Sequence, residues 1–225
     1  MRSYESGDRM TMRFRRALLG VLILLAVVPA EGEELTRAQA LQQLNGTSAQ
    51  ARRGAIVYLG KAGAMPDVPP LLEALRDSDA EARREAEAAI WLIWSRSGDA
   101  KIDALFGIGI EQMQAGNLGG AIATFTRIIE LKPDFAEGWN KRATLYFLIG
   151  DYRKSLFDCD RVIERNPQHF GVLAGYAQIH ARLGAYDRAL DYARRALDLN
   201  PNLSGVRESI EVLERLDAER RRRTT

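Results

Sequence analysis

Residues 136–169 read AEGWNKRATLYFLIGDYRKSLFDCDRVIERNPQH. The spacing predicts a first helix over Ala136–Leu148, a turn at Gly150-Asp151 and a second helix over Tyr152–Arg165. Pro167 then blocks continuation, because its ring removes a donor and clashes with the preceding turn. Shifting the sequence by 34 residues brings Pro133, Pro167 and Pro201 into register, and likewise Gly116, Gly150 and Gly184. Small residues recur at Gly109, Ala143 and Ala177 and at Ala121, Ser155 and Ala189, where helices approach closely only if side chains are short. Larger apolar residues recur at Leu105, Trp139 and Leu173 and at Leu118, Tyr152 and Tyr186. Three copies follow, over 102–135, 136–169 and 170–203. The first carries Gly107 and Gly109 inside its first helix, at a cost of about 1 kcal/mol each relative to Ala. Gly109 falls in the close-packing slot and Gly107 does not, so that helix is expected to be loose.

This pattern resembles the tetratricopeptide repeat, whose places are filled here by Trp139, Ala143, Tyr146, Gly150, Tyr152, Ser155 and Pro167. The resemblance implies an extended concave face lined by the first helix of each repeat, which grips a peptide or a partner helix. Carried onto this sequence, the groove-facing places are Phe106, Ile110 and Met113, then Asn140, Lys141, Thr144 and Phe147, then Gln178 and Arg182. Asn140 is suited to hydrogen-bonding a ligand backbone, and Lys141 or Arg182 to meeting a carboxylate. Chaperone-binding members hold a C-terminal carboxylate with a clamp of Lys, Asn and Arg. The matching places here are Phe106 and Ile110 in the first repeat and Gly171 and Gly175 in the third, so the clamp is absent.

The preceding segment repeats with another period. Leu41, Leu44, Ala51, Arg52 and Arg53 reappear 31 residues later as Leu72, Leu75, Ala82, Arg83 and Arg84. Each copy reads as a short Leu-containing helix, a polar turn and a longer Ala-rich helix, and residues 35–97 are similar to HEAT-type repeats. After residue 203, Val206, Ile210, Val212, Leu213 and Leu216 recur at helical spacing among Arg and Glu, the pattern of a helix that covers the last open face. The expected fold is all-α: one continuous right-handed α-α superhelix of about eleven helices. Its parts are HEAT-like helices over 31–100, tetratricopeptide helices over 101–203 and a capping helix with a basic tail over 204–225.

The N-terminus reads as an address. Arg13, Arg15 and Arg16 precede an apolar run from Ala17 to Val28, and Val28-Pro29-Ala30 offers small residues before a cut ahead of Glu31. The run is short of the roughly 20 residues that span a bilayer, which favours cleavage of residues 1–30 over anchoring. Export to a periplasmic or extracellular space is expected, and an excess of Arg over Lys of roughly fivefold suits a GC-rich bacterial genome. The full chain carries 32 basic and 30 acidic residues, a formal charge of +2. Removing residues 1–30 takes away five Arg and two acids and leaves −1. Neither balance provides the basic field that nucleic acid binding requires. The single Cys159 cannot form an internal disulfide in an oxidising compartment, and is expected to be a buried thiol.

No catalytic constellation emerges. His169 and His180 lie eleven residues apart on different elements, away from metal-pair spacing, and Cys159 has no His within one helical turn. The chain lacks G-x-S-x-G, a phosphate-binding glycine loop and CxxC. The expectation is a non-enzymatic module without cofactor or metal that binds a protein or peptide. Two alternatives are a membrane-anchored structural protein keeping its N-terminal helix and a subunit akin to the HEAT-like lyases that attach bilins.

Overall fold

The computed structural model describes residues 35–224, and the segment 1–30 expected to be an address lies outside them. Eleven helices follow one another: α1 (Arg37–Gln43), α2 (Ala49–Ala62), α3 (Val68–Ala74), α4 (Ala80–Trp94), α5 (Ala100–Gln114), α6 (Leu118–Leu131), α7 (Ala136–Leu148), α8 (Tyr152–Arg165), α9 (Phe170–Arg182), α10 (Tyr186–Leu199) and α11 (Ser204–Thr224). The all-α superhelical class is the expected one, and α7 and α8 keep the bounds that the spacing predicts. Among the described residues, no helix is long and apolar enough to cross a membrane.

The 34-residue period has a backbone cause. Gly116, Gly150 and Gly184 adopt φ of 73°, 80° and 72°, the left-handed region that L side chains avoid. Each ends a first helix in the same way: Gly150 N donates to Phe147 O, and Asp151 N reaches back to Tyr146 O at 2.9 Å. The next helix starts at once, capped by Asn117 or Asp151, whose side chain accepts from the third residue on. Hairpins therefore form at fixed intervals. Ala121, Ser155 and Ala189 are buried where the paired helices touch, and Ser155 Oγ donates to Ala143 O at 2.8 Å.

The 31-residue period also has one. Arg52, near the start of α2, donates to Gly46 O and Thr47 O, and its counterpart Arg83 on α4 donates to Asp77 O and Ser78 O. Arg52 also holds Asp77 bidentately at 2.6 and 2.7 Å, which ties the first helix pair to the second.

The expected continuous stack is interrupted between α4 and α5, which do not pack alongside one another. The chain turns through Gly98 (φ 77°), and α1–α4 lie instead against the loops that separate the repeats. Trp94 stacks on His169 with ring centroids 4.2 Å apart, and Trp91 meets Phe170 edge-on at 5.6 Å. Farther along the same edge, Arg76 donates to Asp198 O and Asn202 Nδ2 to Leu75 O at 2.8 Å. Phe170, Leu199 and Leu203 of the repeats thus complete the core of α1–α4. Trp94 is buried and Trp91 partly buried in these contacts, so the two rings contribute apolar burial to the docking.

Candidate functional site

The first helices α5, α7 and α9 carry the candidate groove, and the structure divides its nine expected residues into two groups. Asn140, Thr144 and Phe147 of α7 come together with Gln178 of α9 on a cleft of about 70 Å³, which Gly171 and Gly175 of α9 also line. Thr144 and Gln178 are exposed, and Phe147 is half-buried with its ring 5.7 Å from Tyr152. Thr144 Oγ1 donates to Asn140 O at 3.0 Å, leaving its lone pairs turned outward. Gly175 has no atom within 4 Å of where a Cβ would stand, so the α9 wall is open there.

The remaining residues are elsewhere. Phe106 is only 8% exposed and sits in the core, edge-on to Phe125 at 5.7 Å and Phe135 at 5.5 Å. Ile110 and Met113 are half-buried against the same cluster. Of the apolar floor expected from the first repeat, Phe106 is therefore core, since a large aromatic gains more by entering the α5–α6 contact than by facing water, while Ile110 and Met113 keep part of their surface open. Lys141 is committed too, with Nζ 3.4 Å from Glu137 Oε2 and 5.3 Å above the Trp91 ring. Arg182 is exposed but lines neither this cleft nor the larger one beside it.

That larger cleft, about 750 Å³, lies between α9 and α11 and was missed by the sequence reading, which assigned α11 only a capping role. α11 does pack along α10, burying Leu213 with Ala189 and Leu190. Its Val206, Ser209, Val212 and Leu216 also form a wall facing Ala174, Ala177 and Ala181 of α9. Little in the sequence signals it, because one period on, the large, small and turn-glycine places fall on Arg207, Glu211 and Ala218. Gln178 lines both clefts, so they are neighbours along α9.

Electrostatics beneath the groove are structural. Glu137 and His169 are fully buried; His169 Nδ1 accepts from Val172 N at 3.1 Å, which leaves Nε2 to donate to Glu137 Oε1 at 2.6 Å. Burial pushes the Glu137 carboxyl up, but His169, Lys141 and Asn140 outweigh it and hold it at about 2. Arg142 grips buried Asp158 with two bonds of 2.8 Å, joining α7 to α8. Cys159 is buried, and burial beside Asp158 and Asp160 pushes its thiol up to about 12, far from a nucleophilic thiolate. His180 lies parallel to Tyr192 at 5.5 Å, and burial lowers its basicity. Among the described residues, no group of His, Cys, Asp and Glu is arranged to hold a metal ion.

Paired helices in a 34-residue register around a concave face define a helical-repeat interaction scaffold. The sequence model of the tetratricopeptide repeat family matches residues 106–159 and 150–204. A TPR repeat-containing protein of Rhizobium etli is 35% identical over 138 residues, covering 61% of this chain and 68% of that protein. The chain belongs to the tetratricopeptide repeat family. It also matches a tetratricopeptide repeat protein 36 homolog of Nematostella vectensis, 36% identical over 61 residues, which are 27% of this chain and 34% of that protein. Among solved structures, the first repeat domain of Spaghetti (RPAP3) bound to an HSP90 peptide superposes with a TM-score of 0.52 at 19% identity, covering 53% of this chain and 96% of that one. A crystal structure of MamA gives 0.50 at 15% identity, covering 68% and 85%. Both are likenesses of fold. Tetratricopeptide domains are protein-interaction modules, and this chain shares their architecture.

Proposed function

We propose that this protein is a non-enzymatic, exported interaction module that binds a peptide segment or helix of a partner along the concave face formed by α7, α9 and α11. The observation that carries the reading is the adjacency of the two clefts, which share Gln178, with Asn140, Thr144 and Phe147 on one side and the α11 wall on the other. Exposed Thr144 and Gln178 supply polar groups for a ligand backbone, and the wider cleft supplies apolar surface. The peptide bound by the Spaghetti domain supports the ligand class by analogy of fold alone. The Arg-flanked apolar run before Glu31 supports export, and the helix pattern of α1–α4 supports HEAT-like repeats.

Photocrosslinking in the native organism tests the groove. A probe replacing Gln178 is expected to capture a partner polypeptide, whereas one replacing Phe157, exposed on α8 outside both clefts, is not. Capture at Phe157 with none at Gln178 moves the interface off the concave face. The mass of the mature N-terminus tests export: a chain beginning at Glu31 supports it, and retention of the Ala17–Val28 run favours the membrane-anchored alternative.

A further inference from the structure

The two clefts are copies of one another. A shift of 34 residues carries Asn140, Thr144 and Phe147 onto Ala174, Gln178 and Ala181, and carries Gly175 and Gln178 onto Ser209 and Val212. All nine residues line the corresponding walls, Gln178 in both clefts. α11 therefore stands where the first helix of a fourth repeat would stand. What differs is the filling. Phe147 leans on Tyr152 with ring centroids 5.7 Å apart, leaving about 70 Å³ between α7 and α9. In the first repeat the matching pair is Met113 and Leu118, both packed against their core. In the third repeat the tyrosine is retained as Tyr186, but its partner position is Ala181. Tyr186 lines an opening of about 750 Å³, and the bulky residue that occupies this place in both other repeats is missing.

We infer that the α9–α11 cleft is the anchor pocket of the groove, and that its occupant is a partner peptide inserting a bulky apolar side chain, Phe, Leu or Met, where Phe147 sits one repeat earlier. The inference rests on the peptide-binding reading above. Most of the wall is apolar, and Ala174, Ala181, Val212 and Leu216 suit such a side chain, while Gln178 and Ser209 stand beside them as polar groups for the peptide backbone. The only charged side chain on the wall among the described residues is Glu87. Its neighbours are engaged elsewhere: Arg84 with Glu81, and Arg83 with the carbonyls of Asp77 and Ser78. A Lys or Arg flanking the anchor complements that carboxylate.

The test pans a library of displayed random peptides against the full chain and measures the enriched peptides by fluorescence polarisation. Enriched peptides are expected to share a bulky apolar residue with a nearby Lys or Arg. Their affinity should fall on the order of tenfold or more in Ala181→Phe, which supplies the missing ring, and in Val212→Glu, which charges an exposed part of the wall without entering the core. Ala181→Phe should also raise the melting temperature by pairing with Tyr186, so loss of binding is not loss of fold. Apolar-anchored binders that ignore both variants overturn the pocket. Binders lost only in Thr144→Arg leave the groove reading standing and remove this inference; binders indifferent to all three variants, or no binders at all, remove both. Sedimentation showing a dimer that Ala181→Phe dissociates assigns the cleft to a second copy of the chain and overturns the peptide occupant.

Discussion

His169 donates from Nε2 to Glu137 Oε1 at 2.6 Å, and neither side chain is exposed to any extent. The pair joins the start of α7 to the residue that caps α9, one repeat on, and Trp94 of α4 stacks on its imidazole. His169→Ala strips Glu137 Oε1 of its hydrogen bond and leaves Asn140 and Lys141, both at Oε2, as the remaining compensation, while Glu137→Gln removes the charge that Lys141 pairs with. Each is expected to lower stability by about 1–3 kcal/mol at neutral pH, read from urea denaturation.

Acid should act through the same carboxylate. Its native value of about 2 lies below the ordinary 4.5, so the folded state binds this proton less readily than the unfolded one. The contribution is complete above pH 4.5 and declines as pH falls from there towards 2. Glu137→Gln, already less stable, is expected to lose less additional stability than the parent over that interval. Parallel slopes of stability against pH in the two proteins would show that other carboxylates carry the acid sensitivity.

Two glycines of α5 should respond oppositely to Ala. A Cβ at Gly109 would stand 2.6 Å from Phe125 Cζ, in a fully buried ring, so Gly109→Ala is expected to destabilise by overpacking, about 1–3 kcal/mol. A Cβ at Gly107 meets nothing within 4 Å, and Gly107→Ala should stabilise by up to about 1 kcal/mol through helix propensity. Thermal melts of the two variants check both signs.

Cys159 should be silent in the native protein. With its thiol pushed up to about 12 and its surface buried, a thiol reagent at pH 8 is expected to label it only on unfolding, at the unfolding rate. Rapid labelling under native conditions would mean that the α7–α9 cleft opens as far as Cys159, which lines it.

Replacing Trp94 by Ala removes the ring between α4 and His169 and should cost about 3–5 kcal/mol. If α1–α4 depend on that contact, limited proteolysis will cut first near Gly98, between α4 and α5. Cleavage inside α7–α10 instead would place the weakest point within the repeats.

The repeats were legible because their signals are local. Gly150 needs a left-handed backbone, Pro167 cannot continue a helix, and both recur at one interval, so the bounds of α7 and α8 follow from the sequence. The docking of α1–α4 was not legible, because Trp91 and Trp94 read as apolar helix positions and nothing near them points to His169 or Phe170. The groove was half legible. Register brought Asn140, Thr144, Phe147 and Gln178 to one cleft, but register alone does not tell that Phe106 finds Phe125 and Phe135 within reach or that Lys141 is held by Glu137. The wide cleft needed the volume left by Ala181, which appears only when α11 is in place.

The contacts of α1–α4 with the inter-repeat loops have a mechanical meaning. Helical-repeat arrays flex because each unit touches only its neighbours. In this chain Trp94 grips the junction at His169, while Leu75 and Arg76 reach the junction at Asp198–Asn202, so two successive hinges are tied to one rigid brace. Spring-like bending of the array has to strain that brace. A partner entering the groove meets spacings already set, and gives up little of its binding energy to hold the host still.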